Sequence, residues 1–368
     1  MKQKELRKNL YKLNGSFATS GYDWWWHSFT AYNEKTMEEK PFYIEYFIIN
    51  PKVSPEKYIL GSKGKPSYFM VNCGCWCKNK AQLHRFYNVS DIKIDKKKLF
   101  ITGEDFLLSE ERIKGKVIVH NPSKEELSDS GEMEWDILLE KEIPYDVGYG
   151  TSPLFCGLKA FDMYWHAQGI KTLMKGYVVY NNERYIVKPK TSYGYSDKNW
   201  GRDFTSPWVW LSSWDLVSEL TKKRLNNSAI EIGGGRPRAF GITFHDKLLI
   251  DFFYEGTKYE FNFSKFWAFP KVKFDCYETN DRIIWEISAS KANIVLKTHF
   301  ECKKKDMLLI NYEAPNGERK FHRLYNGGNG FGVIELYKDN LLVDRIQARH
   351  TGCEYGKYHS EGDDYTKK

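Results

Sequence analysis

From Gly21 to Arg349 the chain is a succession of short segments in which apolar and aromatic residues alternate with polar ones, each closed by glycine, proline, asparagine or charged turn residues. Alternation with period two places one set of side chains on a buried face and the other on the opposite face, so each segment predicts a β-strand. Gly21 to Thr30 opens such a strand, and Pro41 to Asn50 reads as its neighbour across a polar turn, with Asn50-Pro51 ending the ladder. Ser109-Glu110-Glu111 reads as a hairpin tip between Leu99 to Leu108 and Arg112 to His120, and Asn181-Asn182-Glu183 as a tight turn into Arg184 to Val187. Met163 to Ala167 and Gly169 to Tyr180 read as successive strands. The second half continues in kind, from Ala229 to Gly233 through Lys320 to Leu324, Phe331 to Leu336 and Leu341 to Arg349, while Thr221 to Asn227 reads as a helical turn or loop. Strands at this spacing, without regular helices between them, predict an all-β antiparallel barrel or sandwich.

The aromatic content agrees with that class. Phe, Trp and Tyr make up 16% of the 368 residues, as 23, 12 and 25 copies, and aromatic side chains favour strands. The length suits two domains or one large sheet protein. The net charge of +8 comes from 56 basic against 48 acidic residues. The lysines gather in turns such as Lys96-Lys97-Lys98 and Lys303-Lys304-Lys305 rather than in stripes interleaved with aromatics, so no nucleic-acid partner is expected. Seven cysteines, an odd number thinly spread, point to a reduced, cytoplasmic protein rather than a disulfide framework. The first residues lack the apolar run of a signal segment, and nowhere do about eighteen apolar residues follow one another, so no integral membrane helix is expected. Met1 to Leu13 reads as a short basic amphipathic helix closing near Asn14-Gly15.

The densest chemistry lies between Tyr193 and Trp214: Tyr193-Gly194-Tyr195-Ser196-Asp197-Lys198-Asn199-Trp200-Gly201-Arg202-Asp203-Phe204, then Pro207-Trp208-Val209-Trp210 and Trp214. Aromatic walls around one acid describe a pocket for an apolar ligand with the acid as its reactive group, since burial among indole and phenol rings opposes the charged carboxylate. Asp197 is the candidate acid and Tyr195, two residues back on the same strand face, its orienting partner. The alternative is a structural Asp197, ionised and paired with Lys198 or Arg202 or bonded to a turn. Trp24, Trp26, His27, Trp165, Trp200, Trp208, Trp210 and Arg202 are the candidate ligand-contacting residues; indole faces stabilise cations, though the same rings also serve to close a barrel. Gly21-Tyr22-Asp23-Trp24 and Gly194-Tyr195-Ser196-Asp197 echo one another, as if opening two halves that join between about Val187 and Tyr195. Cys73-x-Cys75-x-Cys77 puts three thiols on one strand face, but zinc sites prefer two intervening residues and a second pair, so small buried residues are the better reading. Gly233-Gly234-Gly235-Arg236-Pro237-Arg238 lacks the lysine and serine or threonine of a phosphate loop and reads as a hairpin or cavity rim. No metal and no cofactor is expected.

These residues carry a resemblance. Tyr195-Ser196-Asp197-Lys198-Asn199-Trp200-Gly201, Phe204 and Pro207-Trp208-Val209-Trp210 resemble the Tyr-x-Glu-Lys-x-Trp-Gly, Phe-Pro and Trp-x-Trp signature of tocopherol cyclase and its bacterial relatives, and are similar to the Tyr-x-Asp-His-x-Trp-Gly stretch of carotenoid 1,2-hydratases. Asp23-Trp24-Trp25-Trp26 resembles the motif with which those families begin their first barrel. Ser109 to Gly115 and Ala348 to Glu354 fall where cyclase-like relatives carry similar residues. The resemblance implies two lipocalin-like antiparallel β-barrel domains side by side, a double calycin, with a hydrophobic cavity at or near their contact. It divides the chain into an N-terminal helix (1–15), a first barrel (16–190), a second barrel (191–355) and a loose tail (356–368). Family chemistry is protonation of an alkene by a carboxylic acid and capture of the cation by a phenol or water; Asp197 matches the acid and Tyr195 its neighbour. Asp stands here for the cyclase Glu and Lys198 for the hydratase His. Two functions stay open: an intramolecular lyase or isomerase acting on an isoprenoid-like or polycyclic substrate, and a non-catalytic carrier of a hydrophobic small molecule. A polysaccharide- or surface-binding β protein is a third, and self-association as a homodimer is left open.

Overall fold

The computed structural model describes residues 6–53, 65–145, 158–239, 241–243, 245, 247–263, 270–310, 312–318 and 321–358. It is all-β. The chain divides into two compact units, one of Met1–Pro144, Asp162–Phe204 and Asn311–Lys320, the other of Tyr145–Phe161, Thr205–Ile310 and Phe321–Lys368.

Among the described residues, the first sheet has twelve strands. They are β1 (Tyr22–Asn33), β2 (Glu39–Ile49), β3 (Tyr68–Cys75), β4 (Ala81–Tyr87), β5 (Lys93–Ile94), β6 (Phe100–Thr102), β7 (Phe106–Ser109), β8 (Arg112–Val119), β9 (Gly131–Tyr145), β10 (Met163–Tyr180), β11 (Glu183–Val187) and β12 (Gly194–Gly201). Their order is β4-β3-β2-β1-β11-β10-β9-β8-β7-β6-β5, and β12 takes the place of β11 between β1 and β10 at the other end of those strands. The sheet curls on itself. Phe69 of β3 stacks on Phe106 of β7 at 4.9 Å although the two strands are remote in the order, and the Trp135 indole N–H of β9 donates to the Tyr46 hydroxyl of β2 at 3.2 Å. These contacts define the inside of a barrel-like sheet.

The second sheet has, among the described residues, eleven strands, which include β13 (Trp208–Ser213), β14 (Asp215–Ser218) and β15 (Ala229–Gly235). Its apolar core gathers Val209, Leu211, Ile230, Ile232, Ile250, Trp285 and their neighbours. Alternation therefore turns Trp208 and Trp210 of β13 to the opposite face.

Several expectations change. The predicted join between Val187 and Tyr195 falls instead after Phe204, because the whole of β12 hydrogen-bonds to β1 and β10 within the first sheet. The two echoing Gly-Tyr segments are thus antiparallel neighbours in one sheet, with Tyr22 opposite Gly201 and Trp26 opposite Asp197, and do not open separate barrels. Strands read as separate pairs are continuous: Met163–Tyr180 passes bulges near Gly169, and Phe321–Lys338 passes bulges at Gly327 to Gly332. A bulge inserts one residue and inverts the alternation, which breaks the period-two pattern without ending the strand. Conversely, Leu99 to Leu108 is split by a turn at Gly103 into β6 and β7. Asn181 and Asn182 take left-handed φ of 47° and 66°, as a two-residue hairpin turn requires.

Leu6 is helical, and residues 7–14 of the predicted N-terminal helix run instead as turn and irregular backbone into a 3-10 turn, Gly15–Ala18. Their backbone groups are engaged by the sheet instead: the Lys12 N–H donates to Asp23 Oδ2 at 2.7 Å, and the Asn9 carbonyl accepts the Trp25 indole N–H at 2.8 Å. Residues 1–5 lie outside the described residues. Of the predicted tail, 356–358 continue the last strand, Leu341–Tyr358, and the remainder lies outside the described residues.

Candidate functional site

Strand alternation sorts the predicted site residues before any contact is considered. On β12, Tyr195, Asp197 and Asn199 share one face and Ser196, Lys198 and Trp200 the other. The second group lies on the barrel-interior side, where His27 packs its ring 6.3 Å from Tyr46.

Asp197 faces away from that interior and is still only 7% exposed. Its Oδ2 accepts the Trp165 indole N–H at 2.7 Å and the Tyr195 hydroxyl at 3.1 Å. Trp26 stands directly opposite it on β1 and stacks on Tyr43 at 4.9 Å with planes 7° apart. Trp24 shares this face and stacks on Tyr312 at 4.8 Å, while the Tyr22 hydroxyl donates to Asn199 Oδ1 at 2.8 Å. The two cations next to Asp197 in sequence are engaged elsewhere. Lys198 forms a buried ion pair with Asp23, and Arg202, half-exposed, pairs with Asp162 at 3.4 Å.

Two predicted ligand contacts are therefore on the wrong side of the sheet to share a wall with Asp197. His27 bonds Ser196 through Nδ1 at 2.9 Å, and Trp200 stacks on Tyr164 at 5.4 Å, both on the Lys198 face. Burial pushes the His27 imidazole well below its ordinary range, with the nearby Lys141 charge acting in the same direction. That favours a neutral, hydrogen-bonded ring.

The Lys198–Asp23 pair is the main feature that sequence reading missed. The ammonium sits 3.7 Å from the centroid of the Trp25 ring. Burial raises the Asp23 carboxyl to about 6 and lowers the Lys198 amine to about 7, while their mutual attraction opposes both shifts. The missed signal was the alternation itself, which puts residue 198 on the face opposite residue 197.

Trp208 and Trp210 belong to the second unit, where each indole N–H meets a buried carboxylate. Trp208 donates to Glu354 Oε2 at 2.5 Å, Asn326 donates to Glu354 Oε1 at 2.5 Å, and Trp210 donates to Glu231 Oε1 at 3.0 Å. The Trp210 ring lies over Gly352, where an added Cβ would come within 2.4 Å of it. Burial pushes the Glu354 carboxyl up to about 7, against the two hydrogen bonds that favour its charged form. The folded state thus holds this proton to about pH 7, whereas the unfolded chain releases it near 4.5. Stability should fall as pH rises through that window, by roughly 3 kcal/mol in total. Urea unfolding at pH 5 and pH 8 should show this loss in the wild type and not in Glu354→Gln; equal losses in both proteins would refute the assignment.

Among the described residues no cluster of three or more His, Cys, Asp or Glu has the arrangement of a metal site, and no helix is long and apolar enough to cross a membrane.

Two antiparallel barrel-like sheets, one bearing a buried acid among indole and phenol rings, define a lipocalin-like fold. The profile of the tocopherol cyclase-like family matches residues 117–330, and the chain belongs to that family. Tyr195 and Asp197 lie inside the matched span. Among curated proteins, a rice protein (Oryza sativa subsp. japonica) described as "Probable tocopherol cyclase, chloroplastic" is 31% identical over 101 residues, 27% of this chain and 20% of that protein. The match thus spans about a fifth of the relative's length. Among solved structures, CghA in complex with Sch210972 is similar with a TM-score of 0.51 at 8% identity, over 94% of this chain and 90% of that one. Kievitone hydratase from Nectria haematococca gives a TM-score of 0.49 at 12% identity, over 95% and 93%. The likeness to CghA is one of fold.

Proposed function

We propose that this protein binds an apolar, isoprenoid-like or polycyclic small molecule against the Asp197 face of the first unit and promotes acid-catalysed cyclisation, hydration or isomerisation of an alkene. The observation that carries this reading is a carboxyl 7% exposed, oriented by an indole N–H and a phenol O–H, in a setting of aromatic rings. The proton to be delivered is the one on the Asp197 carboxyl. Its transfer to an alkene carbon leaves a cation beside Trp26, whose ring face offers the negative quadrupole that stabilises it. Exclusion of water protects that cation from indiscriminate capture. Membership of the tocopherol cyclase-like family supports the same chemistry. The reading includes a cytoplasmic location, in keeping with the odd number of thinly spread cysteines.

A second reading gives the proton to Glu354 instead, because a carboxyl pushed up to about 7 is half protonated near neutral pH, the condition that best suits a general acid. A third keeps the apolar ligand and omits the chemistry, making the protein a carrier.

Native mass spectrometry of the purified protein tests the part common to all three. An adduct of lipid-like mass, or one formed on incubation with isoprenoid alcohols, is expected. A protein that stays bare under both conditions does not bind such molecules, and the reading falls.

A further inference from the structure

At one end of the second sheet the alternation of buried and exposed residues breaks down. The strands Phe321–Lys338 and Leu341–Tyr358 are joined by a two-residue turn, Asp339-Asn340, with left-handed φ of 53° and 63°. From Asp344 onward the last strand alternates, with Asp344, Ile346 and Ala348 buried and Arg345 and Arg349 exposed. Before it, three apolar residues in a row face water: Leu341 is 73% exposed, Leu342 43% and Val343 38%. Exposure on both sides of the strand means that the tip projects past the body of the sheet. The register agrees, since Leu336 pairs with Asp344 and Tyr337 with Leu342, which leaves Val343 as a bulge. A second turn stands beside this tip. Ser218 pairs with Ile346, its N–H donates to the Lys223 carbonyl at 2.9 Å, and the residues between Ser218 and Lys223 include Leu220, 58% exposed. Both turns are held in place. The Ser218 hydroxyl donates to Asp344 Oδ1 at 2.8 Å, the Glu219 N–H to the Arg345 carbonyl at 2.6 Å, and the Asn293 amide to Asp339 Oδ1 at 2.8 Å. Lys222, Lys223 and Lys338 are exposed in the same two turns, and among the described residues none of them enters an ion pair. The acids there are engaged: Glu219 pairs with Arg345 at 2.9 Å, and Asp339 accepts from Asn293.

We propose that this end of the second unit docks on an anionic lipid bilayer, with Leu220, Leu341, Leu342 and Val343 entering the boundary between headgroups and acyl chains and the three lysines meeting lipid phosphates. Turns are normally built from polar residues and glycine, and a run of exposed apolar residues marks a surface that something covers. A protein partner fits this tip poorly. A stable protein interface engages about 20 to 30 residues a side, whereas one narrow hairpin and its neighbouring turn offer four apolar side chains. A bilayer accepts such a tip, because apolar groups entering from one edge need reach only about 5 to 10 Å into the boundary. The charge agrees. An anionic leaflet attracts lysines at its surface, each strengthening binding by about fivefold. The inference goes beyond the reading of the Asp197 face and does not depend on it. Taken with that reading, it brings the protein to the phase in which isoprenoid-like molecules dissolve.

The test is sedimentation of the purified protein with vesicles of phosphatidylcholine alone and of phosphatidylcholine mixed with phosphatidylglycerol, in low salt. The wild type should bind the anionic vesicles at least about tenfold more tightly than the neutral ones, and added salt should weaken that binding. Leu341→Ala with Leu342→Ala should bind the anionic vesicles at least about thirtyfold less tightly, since each methylene withdrawn from the bilayer accounts for about fourfold. Lys222→Gln, Lys223→Gln and Lys338→Gln together should erase the preference for anionic lipid. Leu138→Ala, which trims a leucine 53% exposed in the first unit, should bind as the wild type does. If the wild type stays in the supernatant with both kinds of vesicle, the proposal is refuted whether or not any variant folds. Equal binding to neutral and anionic lipid, or binding that survives Leu341→Ala with Leu342→Ala, overturns it as well. A dimer in lipid-free buffer that the two leucine changes dissociate assigns the tip to a second copy of the chain and also overturns it. Each of these failures leaves the Asp197 reading standing, because that reading is tested by the bound small molecule and not by lipid.

Discussion

Replacing Asp197 by Asn should lower turnover about 100- to 10,000-fold, the contribution of a positioned general acid, while ligand binding changes by no more than a few-fold. Asparagine keeps the volume of the side chain, and its carbonyl oxygen can still accept the Trp165 indole N–H, so the wall of the site stays as it is. Only the transferable proton is lost. The measurement is kcat and the ligand Kd of the two proteins side by side, with Glu354→Gln as the third. Loss of turnover in Glu354→Gln with activity retained in Asp197→Asn would move the acid to the second unit. Activity retained in both would remove acid catalysis by either carboxyl, and binding without turnover in the wild type would leave a carrier.

The second large effect is on stability. Lys198→Met should destabilise the protein by about 3 to 5 kcal/mol near neutral pH, because it strands the Asp23 carboxylate in a site without water. The double change Asp23→Asn with Lys198→Met should recover most of that loss, since a buried ion pair replaced as a unit costs little. The pH dependence follows from the two shifts. Asp23 is raised from 3.8 to about 6, so the folded state holds a proton that the unfolded chain has released, and stability falls as pH climbs through that window. Lys198 is lowered from 10.5 to about 7, so its contribution runs the other way: stability rises as pH climbs from about 7 toward 10.5. Both contributions should be absent from the double variant in denaturant titrations between pH 4 and 10, leaving only the Glu354 loss between about pH 4.5 and 7. A single variant as stable as the wild type, or a double variant as damaged as the single one, would show that the pair is not the coupled unit described.

The pair also bears on the N-terminal segment. The Lys12 N–H bonds Asp23, and the Asn9 carbonyl takes the Trp25 indole N–H. Over residues 7–14 the amphipathic pattern suits a helix, yet turn and irregular backbone can carry apolar residues in similar numbers. The difference lies in where the backbone N–H groups find acceptors, and that is a long-range matter.

Part of the geometry around Asp197 was legible in the sequence. Asp197 and Tyr195 are two apart on a strand, so their shared face followed from alternation, and the hydroxyl-to-carboxylate bond of 3.1 Å is the direct consequence. Trp165 was on the candidate roster, but nothing in spacing linked residue 165 to residue 197; the register that sets β10 beside β12 does so. Glu45 is one acid within Phe42-Tyr43-Ile44-Glu45-Tyr46-Phe47, and its hydrogen bond from Asn72 follows from the pairing of β2 with β3.

By itself the sequence determined the class of structure and the side of each strand on which a residue falls. Period two is a local property of an extended backbone, and it survives whatever the strand packs against. Only the tertiary structure decided strand order, the place where one unit gives way to the other, and which acids sit together, because hydrogen bonding between strands is blind to sequence distance and a single bulge inverts every side chain that follows it.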